Sequence, residues 1–87
     1  MAYKIQFTPK AAKQFSKLDK SVKHRINDYL IRLEKIDTPR LLGKYLQGGL
    51  TGTWSYRVGH YRLLSVIKDN ELIVTVVHLA HRGVVYK

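Results

Sequence analysis

The chain has 87 residues, with 16 Lys and Arg against 6 Asp and Glu, and therefore a formal net charge of +10. This length suits one domain with a single core, and we treat residues 1–87 as one domain. The strong positive charge favours partners that carry phosphate groups. Cysteine is absent from the sequence, which excludes a disulfide framework and thiolate chemistry.

The first half of the chain predicts one strand and two helices. Tyr3–Phe7 alternates apolar and polar residues, which is typical of a half-buried strand. Thr8 and Pro9 suit the N-cap and first turn of a helix. After a short break, apolar residues recur at helical spacing until Pro39, and we assign them to packing of an antiparallel helical pair. In the second helix they are Val22, Ile26, Tyr29, Leu30, Leu33 and Ile36.

The second half predicts a loop followed by three strands. Residues 40–53 contain four glycines, and we predict that they fold over the domain without forming a strand. Trp54–Val58, Tyr61–Ile67 and Leu72–His81 then predict an antiparallel meander. Gly59 at the first central position of a two-residue turn favours a type II′ hairpin. The predicted fold class is therefore α+β, with an N-terminal strand, a helical hairpin and a three-stranded meander that completes one sheet.

Alternation along these strands predicts two faces of the sheet. The face expected to pack on the helices carries Trp54, Tyr56, Val58, Tyr61, Leu63, Val74 and Val76. The face expected to carry function holds Ser55, Arg57, Arg62, Leu64, Val77, Leu79 and His81. Because the last strand is apolar at most positions, we expect it to be central and a partner to cover it on the functional face.

The hairpin register places Arg57 directly opposite Arg62. Like charges in that position destabilise a strand pair, so a bound anion is expected there. We favour an RNA phosphate, because the planar guanidinium group matches phosphate oxygens with two hydrogen bonds. Lys44 and Ser55 are further candidates to contact the substrate.

RNA can be cleaved by its own 2′-hydroxyl if other groups remove and supply protons. The candidates near the arginines are His81, Arg82 and Tyr86, and His81 is the preferred base because imidazole titrates near neutral pH. Strict alternation places His81 on the face of the arginines and turns Arg82 away, unless the strand ends or bulges at Ala80.

The remaining histidines predict no metal site and no cofactor. His78 and His81 lie three positions apart on a strand, so their rings point to opposite faces. We interpret His78 as a buried, hydrogen-bonded core residue and His60 as a turn residue. The start of the chain lacks the apolar run of a signal peptide, and the run from Leu72 to Ala80 is too short to cross a bilayer. We therefore expect a soluble cytoplasmic protein with no membrane partner.

Four motifs are shared with a known family. They are Phe15-x-Lys17-Leu18-Asp19, Leu46-x-Gly48, Trp54-x-Tyr56-Arg57-Val58-Gly59-x-Tyr61-Arg62 and His81-Arg82-x-x-Val85-Tyr86. Together they resemble the RelE/ParE toxins of bacterial and archaeal toxin–antitoxin pairs over nearly the whole chain. The resemblance implies a RelE-like fold and a ribosome-dependent endoribonuclease that cuts mRNA in the ribosomal A site. It also implies neutralisation by an acidic antitoxin, in a complex expected to bind operator DNA.

The resemblance also implies roles for individual residues. The functional positions of RelE-type toxins fall on Arg57, Arg62, His81 with Arg82, and Tyr86. We expect Arg62 and Arg82 to clamp the phosphate and Tyr86 to stack on the RNA or protonate it. RelE-type members can carry two lysines where this chain has Ser55 and Arg57, and the loss of one cation strengthens the case for His81 as the base.

Two other functions fit the sequence less well. The ParE branch shares the fold but poisons DNA gyrase and lacks the cleavage residues. Retention of Arg62, Arg82 and Tyr86 favours RNA cleavage. A basic nucleic-acid binding module without activity would explain the charge but not the clustering of these residues at strand ends.

Overall fold

The computed structural model describes residues 3–46 and 53–81, which form two helices and one mixed sheet. The elements are β1 (Lys4–Phe7), α1 (Pro9–Ser16), α2 (Lys20–Lys35), β2 (Lys44–Leu46), β3 (Thr53–Val58), β4 (Tyr61–Lys68) and β5 (Ile73–His81). The strand order is β1-β5-β4-β3-β2, with β1 parallel to β5 and the other pairs antiparallel. The predicted α+β class is confirmed; β5 has a neighbour on each side, but β4 and not β5 is the middle strand of the sheet. Neither helix of the described ranges is long and apolar enough to cross a membrane.

α1 begins where the sequence predicted, whereas α2 begins at Lys20, within the break predicted at residues 19–21. Both helices contribute buried residues to the core, and the sheet face that lies against this core is here called the helix face. The Thr8 hydroxyl accepts a hydrogen bond from the Ala11 amide at 3.2 Å, and Pro9 is the first residue of α1. Such a cap satisfies one of the amides that a helix start leaves unpaired. The core lies between the helices and the sheet. Its buried residues are Ala11, Ile26, Leu30, Leu33, Tyr56, Val58, Leu63, Val74, Val76 and Leu79.

The β3–β4 hairpin has the predicted register. Val58 pairs with Tyr61 and Arg57 pairs with Arg62. Gly59 has a φ of 61°, whereas His60 does not have a positive φ. Positive φ at the first central residue alone is the pattern of a type II′ turn. The sheet face that carries Ser55, Arg57, Arg62 and Leu64 is here called the arginine face.

The prediction that residues 40–53 contain no strand is wrong. Lys44–Leu46 forms β2 at the edge of the sheet, with Lys44 opposite Ser55. Without β2, residues 53–55 of β3 would expose an unpaired row of backbone amides and carbonyls. Three residues suffice to satisfy that edge but are too few to show an alternating pattern in the sequence. The other part of the predicted loop, residues 47–52, lies outside the described residues.

The segment before β2 does fold over the domain, as predicted. The Trp54 indole donates a hydrogen bond to the Leu42 carbonyl at 2.7 Å, and the Tyr56 hydroxyl donates to the Pro39 carbonyl at 2.9 Å. Both side chains belong to β3, so the strand itself fixes the path by which the chain reaches β2.

The predicted facing of β5 is wrong at its C-terminal end. Opposite β4, Ser65 pairs with Val76 but the preceding Leu64 pairs with His78, so Val77 is an extra residue. The sequence analysis allowed for a bulge at Ala80, whereas the structure has the bulge at Val77. One extra residue reverses the facing of every side chain that follows it.

The reversal moves two residues off the face where function was predicted. Leu79 pairs with Leu63 and is buried in the core, and His81 pairs with Tyr61 on the helix face. Ala80 is the residue opposite Arg62.

Candidate functional site

Four of the predicted site residues meet at one cavity. Lys44, Ser55, Arg57 and Arg62 line a space of about 330 Å³, together with Gly43, Tyr29 and Tyr45. The pairings of Lys44 with Ser55 on β2–β3 and of Arg57 with Arg62 on β3–β4 fix this arrangement. Three adjacent strands therefore each contribute a cation to one concave surface.

The cavity is built to receive negative charge. Among the residues that the structure describes, its lining holds three cationic side chains and no carboxylate. Arg57 is exposed and Arg62 is partly buried. Both side chains extend from strands and not from loops. Two cations directly opposite each other repel, and an anion placed between them removes that repulsion. This arrangement of cations can bind an anion.

Gly43 shapes the cavity wall where the chain enters β2. Its φ is 78°, a conformation that disfavours residues with a side chain. A Cβ atom at this position would lie 2.5 Å from the Ser55 carbonyl oxygen and 2.8 Å from the Trp54 indole nitrogen. A side chain therefore cannot be added without moving β2 away from β3.

Tyr29 is a cavity residue that sequence reasoning assigned only to helix packing. Its ring contacts Tyr56 edge to face, with centroids 6.1 Å apart. The same residue lines the cavity beside Lys44 and Arg57. Burial raises the pKa of the Tyr29 hydroxyl above its ordinary value of 10.0, so the phenol stays protonated at neutral pH. The available signal was a tyrosine in an apolar stripe, because its polar tip usually needs water or a partner.

His81 is not brought to the arginines. Its ring packs edge to face on Tyr61 with centroids 4.8 Å apart, and the His60 ring lies 6.3 Å away. The bulge at Val77 causes this placement, because it turns the end of β5 over. The predicted meeting of His81 with Arg57 and Arg62 is therefore wrong.

His78 is hydrogen-bonded, as predicted, but it lies on the arginine face and is only partly buried. Its Nδ1 atom lies 3.1 Å from the Gln14 amide nitrogen, and the Gln14 oxygen accepts from the Leu79 amide at 2.9 Å. Burial lowers the pKa of His78, and the Lys10 charge lowers it further. A neutral imidazole can accept from Gln14, so this contact holds α1 against the bulged part of β5.

Two further predicted residues, Arg82 and Tyr86, lie outside the described residues. Within residues 3–46 and 53–81, no group of three or more His, Cys, Asp or Glu is arranged to hold a metal ion.

Comparisons with known proteins agree with this fold. Residues 5–86 match the family model described as the ParE toxin of the type II toxin–antitoxin system parDE. The chain belongs to the ParE/RelE toxin family. Toxin RelG from Mycobacterium tuberculosis is 31% identical over 87 residues, which cover 100% of this chain and 99% of the relative. The chain is thus similar to this family toxin over its full length.

Solved structures of family toxins have the same fold. The toxin–antitoxin complex RelBE2 from Mycobacterium tuberculosis contains a chain with 32% identity and a TM-score of 0.72, covering 95% of this chain and 94% of that one. The archaeal RelE–RelB complex from Pyrococcus horikoshii gives a TM-score of 0.74 at 22% identity, covering 97% and 99%. The second likeness shows the fold alone. The predicted RelE-like fold of this family member is confirmed.

Proposed function

We propose that this toxin is a ribosome-dependent endoribonuclease that cleaves mRNA in the ribosomal A site and so inhibits translation. The observation that carries the proposal is the pairing of Arg57 with Arg62 on a cavity that also contains Lys44. The phosphate groups of RNA have the charge and shape to fit this cavity, and the ribosome presents many of them. We also propose that the protein acts in the cytoplasm, where ribosomes are found.

In the proposed reaction the 2′-hydroxyl of the RNA attacks the adjacent phosphate, and the 5′-oxygen leaves. This route needs no metal ion, because the nucleophile belongs to the substrate. Arg57 and Arg62 bind the phosphate oxygens and stabilise the negative charge that grows on them in the transition state. Lys44 and Ser55 contact the same phosphate or its neighbour along the chain.

The observed position of His81 changes which residues we propose as acid and base. Because that ring packs on Tyr61 and faces away from Arg62, we no longer assign it the role of general base. Arg82 and Tyr86 remain the proposed partners of Arg62, as the family resemblance implies. A site with few titrating groups depends on the ribosome to orient the RNA.

We propose an acidic antitoxin as the second partner. The RelBE2 and RelE–RelB structures contain a toxin with its antitoxin. In this chain a second cavity, of about 370 Å³, lies beside the bulge of β5 and is lined by Lys10, Thr53, Leu64, Val77 and His78. Apolar surface next to a cation fits an amphipathic acidic segment. We expect the antitoxin to cover Val77, but not Leu64 or Leu79, which the fold already buries. The expected binding of the complex to operator DNA remains part of this proposal.

The experiment is to add purified toxin to a translating extract and to map the 5′ ends of mRNA fragments. Cuts confined to codons in the ribosomal A site support the proposal, and free mRNA should be cut poorly. Equal cutting of free and ribosome-bound mRNA would contradict it. The matching variant is Arg62→Ala, and Lys23→Ala on α2, outside the cavity, provides a control for loss of one positive charge.

A second function is inhibition of DNA gyrase, and the match to a ParE family model favours it. A supercoiling assay with purified gyrase separates the two functions. Inhibition of gyrase at the toxin concentration that leaves mRNA intact would favour this alternative.

A further inference from the structure

Tyr29 reaches the cavity from the helix side of the site. Its ring is held by Tyr56 at 6.1 Å between centroids, and the Arg32 guanidinium lies 5.8 Å from the ring centroid. These contacts orient the ring through groups that belong to the folded domain. Tyr29 is therefore a fixed part of the cavity and not a mobile surface side chain.

The hydroxyl of Tyr29 is available for a ligand. The Tyr3 hydroxyl donates to Asp69 at 2.6 Å and the Tyr56 hydroxyl donates to Pro39, whereas residues 3–46 and 53–81 supply no hydrogen-bond partner for the Tyr29 hydroxyl. In those same ranges no buried side-chain oxygen or nitrogen lacks a partner. The Tyr29 oxygen is consequently open to solvent.

This hydroxyl differs in chemistry from the rest of the site. It is a neutral donor and acceptor, because the ordinary pKa of a tyrosine hydroxyl is 10.0 and burial raises the pKa of Tyr29 further. Lys44, Arg57 and Arg62 attract the phosphate much more strongly than a neutral hydroxyl does. The cavity, at about 330 Å³, is within the range of small-molecule sites and has room for more than a phosphate group. The neutral part of a nucleotide would lie against Tyr29.

We propose that the Tyr29 hydroxyl hydrogen-bonds the edge of a nucleobase of the bound RNA, and so determines which nucleotide is preferred near the cut. The inference rests on the proposed function and names a specificity residue for it. Base edges are the parts of single-stranded RNA that distinguish one nucleotide from another. A hydroxyl fixed beside the phosphate-binding arginines can read such an edge without taking part in the chemistry.

The test compares wild-type toxin with Tyr29→Phe, which removes the hydroxyl and retains the ring that packs on Tyr56. Tyr3→Phe is the matched control, because it removes a tyrosine hydroxyl outside the cavity. Cleavage is measured on ribosomes programmed with mRNAs that differ only in the three nucleotides of the A-site codon. We expect Tyr29→Phe to reduce the ratio between preferred and rejected nucleotides at one codon position by about threefold to tenfold, the usual worth of one hydrogen bond. Tyr3→Phe should leave that ratio unchanged.

Three results would overturn the inference. An unchanged codon profile with Tyr29→Phe would mean that the hydroxyl contacts no base. Equal slowing at all codons would place the hydroxyl on the ribose or phosphate instead. No cleavage by the wild-type toxin would overturn the proposed function and the inference with it, whereas the first two results leave the proposed function intact.

Discussion

Replacing Gly43 by Ala should destabilise the protein far more than replacing Gly59 by Ala. Both glycines have positive φ, 78° and 61°, so an added Cβ costs each site about 1–2 kcal/mol of backbone strain. They differ in what the Cβ would meet. At Gly59 the nearest atom is the Arg25 Nη1 at 3.1 Å, at the end of a flexible side chain that can move.

At Gly43 the nearest atom is the Ser55 carbonyl oxygen at 2.5 Å, which belongs to the backbone of β3. Relief of that contact requires β2 to separate from β3, and each hydrogen bond so lost is worth about 0.5–1.5 kcal/mol. We expect a total loss for Gly43→Ala of about 3 kcal/mol or more. For a domain of this size that corresponds to a fall in Tm of more than about 12 °C.

The assay is urea unfolding followed by circular dichroism, with wild type, Gly43→Ala and Gly59→Ala measured side by side. The difference between the two variants isolates the contact with β3, because the strain from positive φ is common to both. Equal midpoints for the two variants would refute the reasoning and would mean that β2 is not held against β3 at Ser55.

Three other predictions concern charge and proton transfer. Arg62→Ala should lower the cleavage rate at least about a hundredfold, and residual activity near wild type would move the site elsewhere. His81→Gln should cleave ribosome-bound mRNA within about twofold of wild type, because loss of a true general base costs on the order of a hundredfold or more; a large loss together with a flattened acid limb of the pH–rate profile would restore His81 as the base. Hydrogen bonds from Arg40 at 2.8 Å and from Tyr3 hold the pKa of Asp69 below its ordinary value of 3.8. The stability from this group is complete above that value and is lost as pH falls through the lower folded-state pKa. Urea unfolding between pH 2 and 6 should therefore show that the free energy of unfolding falls less steeply with acidification for Asp69→Asn than for wild type. An identical slope for the two proteins would contradict this.

The parts of the fold that the sequence predicted are those with local causes. Thr8 and Pro9 specify the start of α1 through their own backbone and side-chain chemistry, and Gly59 specifies a turn that fixes the pairing of Arg57 with Arg62. The Arg57–Arg62 pair and its electrostatic consequence were thus readable from a few neighbouring residues.

The parts that the sequence missed depend on contacts between distant segments. Val77 carries no mark of a bulge, because Val suits either face of a strand; the extra residue is defined only by the pairing of β5 with β4. β2 forms because its backbone pairs with the edge of β3. Tyr29 follows the apolar spacing of α2, and only the tertiary fold shows that its polar end meets Lys44.

The parallel pairing of β1 with β5 has a consequence for how the toxin folds. Gln6 and Thr75 are neighbours in the sheet but are 69 positions apart in the chain. Closing so long a loop is slow, and contacts of this kind lower the folding rate of small domains. During synthesis the first strand has no partner until β5 has left the ribosome. The nascent chain therefore lacks a complete sheet for most of its translation, and assembly of β5 against both β1 and β4 is the step that completes the fold.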